Sequence, residues 1–223
     1  MINTDTRSKH SIGRLTLLIA LPLLLVSACQ STYYNAWEKL GVHKRDILVD
    51  RVEEARDAQE DAQEQFSSAL EEFSSLVKFD GGDIETYYKR LNNEYEASRE
   101  AADEVSSRID SIDSVAHALF KEWEQEIEQY SNASFKNESR SQLRDTKTRY
   151  AALEKSMRRA ESTMEPVLAT MRDNVLMLKH SLNARAIGAL REEYQSIKRD
   201  IDALIGEMND SIERSNQFIA SMQ

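Results

Sequence analysis

A single cysteine among 223 residues rules out an intrachain disulfide, so this fold has no covalent staple. Prolines number two, Pro22 and Pro166, and glycines six, two of them paired at Gly81-Gly82. So few breakers over so long a chain argue against a loop-rich domain and for long helices. Aromatic residues are few and regularly spaced while 30% of residues are charged, the composition of a coiled coil or long helix. No apolar run reaches the roughly 18 residues of a membrane span. Leu15 to Val26 is 12 long, with Pro22 inside it.

Signatures of chemistry are equally scarce. There is no Gly-x-x-x-x-Gly-Lys loop to cradle phosphates, and Gly81-Gly82 is followed by Asp83. Beyond the first 28 residues the histidines are His43, His117 and His180, far apart and never in the Glu-x-x-His spacing of di-iron bundles. Asp113 and His117, four apart, would share a helical face, where an ordinary surface pair outweighs a metal site. Cys29 is the only thiol, and its position gives it another role than catalysis. No catalytic, cofactor-binding or metal-ligating residue is assigned, and a non-enzymatic protein without a cofactor is expected.

What is present begins at the N-terminus. Arg7, Lys9 and Arg14 precede the apolar run, which ends in Val26-Ser27-Ala28-Cys29. Charge, grease and then small residues make a secretory signal peptide with a small-residue cleavage site. A cysteine directly after that site resembles the lipobox of bacterial lipoproteins. The resemblance implies that the Cys29 sulfur takes a diacylglyceryl group, that residues 1–28 are removed, and that Cys29 becomes the acylated first residue. Two or more acyl chains hold stably, each buried methylene contributing about 0.8 kcal/mol. Residue 30 is Gln rather than Asp, which in enterobacterial lipoproteins resembles a signal for inner-membrane retention, so the outer membrane is favoured. The expected organisation is a signal peptide over 1–28, a lipidated tether over 29–42 and a helical bundle over 43–223.

From Cys29 onward there are 26 Lys and Arg against 38 Asp and Glu, a net charge of −12. Such a surface repels phosphate backbones, so nucleic acid is not an expected partner. It also gives no electrostatic hold on anionic lipid, which leaves the acyl chains as the anchor.

Apolar spacing sets the fold class. Leu48, Val52, Ala55, Gln59, Ala62, Phe66, Ala69, Phe73 and Leu76 follow one another by alternate steps of four and three. The same step runs from Ile84 through Leu91, Val105, Ile109 and Ile112 to Trp123, and from Ile187 through Ile197, Leu204 and Met208 to Met222. A repeat of 3.5 residues keeps one stripe against a partner helix. Between Leu143 and Leu182 the step holds from Tyr150 to Met171 and then slips by a residue. Pro166 lies within that run and predicts a kink; the competing reading is a fresh helix capped by Ser162 and Glu165.

Asp80-Gly81-Gly82-Asp83, Ser131-Asn132-Ala133-Ser134 and His180-Ser181-Leu182-Asn183 separate the four segments, with Asp83 placed to cap the second. The expectation is an all-α fold, an elongated antiparallel coiled coil or bundle of four long helices. Ala55, Ala62 and Ala69, interleaved with Phe66 and Phe73, predict a close-packed seam.

Two basic clusters stand out, Gly41-Val42-His43-Lys44-Arg45-Asp46 and Lys179-His180-Ser181-Leu182-Asn183-Ala184-Arg185. His43, Lys44 and Arg45, near the anchor, and Lys179, His180 and Arg185, at the far tip beside Asp80 and Asp83, are candidate partner contacts. The strings Gly41-Val42-His43-Lys44-Arg45-Asp46-Ile47-Leu48-Val49-Asp50-Arg51-Val52, Glu122-Trp123-Glu124, Gln129-Tyr130-Ser131-Asn132-Ala133-Ser134 and His180-Ser181-Leu182-Asn183-Ala184-Arg185-Ala186 resemble an uncharacterised proteobacterial lipoprotein family, a domain of unknown function. The likeness covers the chain from Cys29 onward and implies no catalytic residues. Members are sometimes labelled DNA-repair ATPases, a label at odds with the missing phosphate loop, the charge of −12 and the export signal. The expectation is a lipid-anchored helical spacer or adaptor facing the periplasm, its partners the membrane and another envelope protein. The alternative is a bundle sensing a ligand or metal, betrayed by buried Asp, Glu or His converging in one layer.

Overall fold

A computed structural model describes residues 44–78, 83–181 and 184–222, of residues 184–186 the backbone alone. The signal peptide, Cys29, the tether and His43 lie outside the described residues, as do Asp80 and both paired glycines. The chain divides into two units, 1–44 and 45–223, and apart from Lys44 the described residues belong to the second.

Four helices make up this unit: α1 (Lys44–Val77), α2 (Ile84–Gln129), α3 (Ala133–His180) and α4 (Ala184–Met222). Their lengths are 34, 46, 48 and 39 residues. Long-range bonds give their directions. Arg108 reaches Glu54 at 2.8 Å and Gln65 reaches Glu94 at 2.8 Å, so α2 runs back along α1. Gln63 bonds Asn209 at 3.0 Å, and Arg191 donates its Nε–H to the Val77 carbonyl at 2.7 Å, so α4 also runs against α1. Helix α3 packs on both α2 and α4. The fold is the all-α, antiparallel four-helix bundle expected from the heptads. The Arg191–Val77 bond shows that the α1–α2 and α3–α4 turns share one end, and it satisfies a carbonyl that helix α1 leaves open at its C-terminus.

The core sits on the 3.5-residue stripe. All nine step positions of α1 from Leu48 to Leu76 are buried, the alanines and the phenylalanines alike. In α4, Ile187, Leu190, Ile197, Ile201, Leu204, Met208 and Phe218 are buried in the same way. The close-packed seam is thus present, small and large side chains alternating along α1. Helix α2 departs from its step: Val115, Phe120 and Ile127 are buried beside Ile112, Ala116 and Leu119. There the apolar face has widened beyond a two-residue seam.

Caps fix the ends. Asp83 accepts from the Glu85 amide at 3.0 Å and the Thr86 hydroxyl at 2.8 Å. Asn132 accepts from the amides of Ser134 and Phe135 at 2.9 and 3.3 Å, starting α3. Helix α3 is continuous through Pro166. Ser162 and Thr163 donate backward to the carbonyls of Arg159 and Ala160, so no new cap forms and the helix is not broken there.

Candidate functional site

The proposed contact residues fall at opposite ends. Lys44 opens α1 with only 7% of its surface exposed, while Arg45 beside it is exposed. Lys179 and His180 are exposed in the last turn of α3, where positive charge suits the helix dipole. Ser181 caps that turn by donating its amide to Leu178. His43 and the side chain of Arg185 lie outside the described residues, so neither cluster is seen whole.

The densest polar cluster is one that sequence reading missed. Asp113 accepts from the Tyr150 hydroxyl on one oxygen and from Arg158 on the other. Arg158 also reaches Asp110 at 2.7 Å and Glu161 at 3.1 Å, and Glu161 accepts from Ser106 at 2.6 Å. Asp113 therefore pairs across to α3, whereas the sequence suggested His117. No short-range spacing announces it, since Asp113 and Arg158 are 45 residues apart.

Behind the hydroxyl, the Tyr150 ring meets Phe120 edge-on at 5.5 Å and Phe218 at 6.3 Å, tying α2, α3 and α4 together. Burial, then the bond to Asp113, push the phenol far above its ordinary range. Burial alone would lower Arg158; its bonds to Asp110, Asp113 and Glu161 outweigh that and raise it. A neutral phenol and a fixed guanidinium make a structural clamp rather than a proton-transfer pair.

At the α2–α3 turn, Lys136 and Arg140 bond the two oxygens of Glu128 at 2.7 and 2.9 Å and hold its carboxyl below the usual range. Lys147 bonds Glu124 at 2.6 Å, and Trp123 donates to Ser139 at 2.9 Å. Two aromatic side chains flank this turn in the open, Tyr130 at 46% and Phe135 at 58% exposure. They stand off the heptad step beside the polar break, a signal available in the sequence.

Buried polar residues among those described are Lys44, Gln59, Ser98, Ser139, Thr146, Asn174, Ser211 and Ser215. These are mostly amides and hydroxyls scattered along the rod. Both polar atoms of Gln59, and the hydroxyls of Ser98 and Ser211, have no hydrogen-bond partner. Among the described residues no group of three metal-ligating side chains occurs. The depressions seen are open grooves between helices, one of about 480 Å³ between α2 and α3 beside Met164 and Leu168.

The family model described as a protein of unknown function (DUF2959) matches residues 33–222, and the chain belongs to that family. No curated protein matches it.

Proposed function

We propose, for this member of the family, a non-enzymatic spacer or adaptor of the cell envelope, anchored by lipid on Cys29 and facing the periplasm, more readily on the outer membrane. The observation that carries the reading is the Arg191–Val77 bond, which puts both distal turns at the end of the bundle away from Lys44. Helix α1 alone, at 1.5 Å per residue, separates the two ends by about 50 Å. A largely apolar seam along the stripe supports a rod, and the scattered amides and hydroxyls of the core do not favour a sensing layer. Lys179 offers positive charge at the distal end, with the exposed His180 imidazole beside it, suited to an acidic surface on another envelope protein. No described helix is long and apolar enough to cross a membrane, so the acyl chains would be the anchor.

Two measurements test the reading. Cys29→Ser should lose incorporation of labelled palmitate and leave the membrane fraction; labelling at the level of the unaltered protein would defeat the anchor. Replacing Lys179 and Arg185 with Glu should abolish crosslinking to a partner from the distal end without lowering the melting temperature. A variant that melts much earlier yet still crosslinks would make the patch structural and end the adaptor role.

A further inference from the structure

The α2–α3 hairpin reaches past the start of α1. With Glu54 beside Arg108 in an antiparallel pair, Lys44 falls level with about residue 118 of α2. The turn at Tyr130 to Asn132 lies roughly a dozen residues further on, about 18 Å at the helical rise. The hairpin thus extends beyond the end of the bundle at which α1 begins. Its tip carries Tyr130 and Phe135 in the open, on either side of a turn fixed by Asn132.

Charge at this end differs from the rest. Residues 121–149 hold six acidic and six basic side chains, against a net −12 from Cys29 onward. Several are paired: Glu128 with Lys136 and Arg140, and Glu124 with Lys147. A tip of no net charge with two outward rings meets little electrostatic repulsion from a phospholipid surface. Aromatic side chains favour that interface because their bodies are apolar and, in tyrosine, the edge is polar.

We propose that the α2–α3 tip rests on the bilayer that holds the lipid on Cys29, with Tyr130 and Phe135 seated in the headgroup region. The proposal relies on the lipid anchor. Fourteen residues lie between Cys29 and Lys44, and even a fully extended chain would span only about 50 Å, enough to let the tip touch down. Contact at the tip would give the bundle a second point of attachment and set its angle to the bilayer.

The test uses the full lipidated chain, reconstituted into vesicles of phosphatidylethanolamine and phosphatidylglycerol. An environment-sensitive fluorophore is placed at Tyr130→Cys, with Leu176→Cys, exposed on α3 near its distal end, as the reference. The fluorophore at 130 should shift to the blue and be quenched several-fold more by spin-labelled lipid than the one at 176. Equal quenching at both positions, in protein that floats with the vesicles, overturns the tip contact and leaves the anchor standing. Protein that fails to float overturns both. A fluorophore at 130 shielded in whole envelopes but not in protein-free vesicles also overturns the proposal, and makes the tip a protein contact.

Discussion

Tyr150 and Arg158, two turns apart on α3, hold the same Asp113 carboxylate, one on each oxygen. The pair locks α3 to α2 at the level where Phe120 and Phe218 close on the Tyr150 ring. Removing the hydroxyl with Tyr150→Phe should cost about 1.5–3 kcal/mol at neutral pH, the range for a hydrogen bond to a charged group.

That variant also has a pH signature. The fold raises the phenol above its ordinary value of 10.0, through burial and then the bond to Asp113. Folding thus favours the neutral form, and the contribution is complete below pH about 10 and lost as pH climbs beyond it. Urea unfolding at a series of pH values should show parallel curves below pH ~10 and a steeper alkaline fall for the unaltered protein than for Tyr150→Phe. Curves that stay parallel throughout would show that Tyr150 ionises freely in the fold.

Seam residues should carry the stability. Phe66→Ala is expected to cost about 3–5 kcal/mol and Ile109→Ala about 2–5, because each leaves a cavity in a fully buried layer. Glu71→Ala, on an exposed position of α1, should leave the unfolding midpoint unchanged. Equal, small shifts at all three would mean that the stripe is not the core.

Gln59 makes an opposite prediction. It is 0% exposed on the core stripe, with neither amide atom bonded. Gln59→Leu should therefore raise stability by about 1–3 kcal/mol, the desolvation cost of an unpaired buried polar group. A lower midpoint would show that a buried water bridges the amide to a neighbour such as Ser211, whose hydroxyl is also unpartnered.

Pro166→Ala restores an amide in the middle of a continuous helix at an exposed position. Interior proline costs a helix about 3 kcal/mol relative to alanine, so the variant should melt higher by up to that amount. A lower melting temperature would mean that the proline itself is needed to seat Met164, Val167 and Leu168.

The heptad step read the core of α1 residue by residue because that helix presents one narrow stripe along its whole length. It read α2 less well, since Val115, Phe120 and Ile127 belong to a wider face that no single stripe describes. The caps at Asp83 and Asn132 were legible because a cap is a local bond, decided within three residues. The sequence left open whether α3 is kinked or broken at Pro166; the apolar register on either side favoured continuity, and the helix runs through. Tertiary pairing was not legible: four-residue spacing pointed Asp113 at His117, and the fold sent it to Tyr150 and Arg158. Of the candidate contacts described, Lys179 and His180 are exposed and Lys44 is buried.

The antiparallel register has a mechanical corollary. A pull between the start of α1 and the distal turns runs along the axes of helices that are bonded sideways at Glu54–Arg108, Gln65–Glu94 and Gln63–Asn209. Every layer of the seam is then loaded in shear at the same moment, and none can be peeled before the next. The same force applied across the α2–α3 hairpin would open its layers one at a time, starting from the ends away from the turn. The bundle is thus built stiff along its helix axes and weak across them, as a strut is.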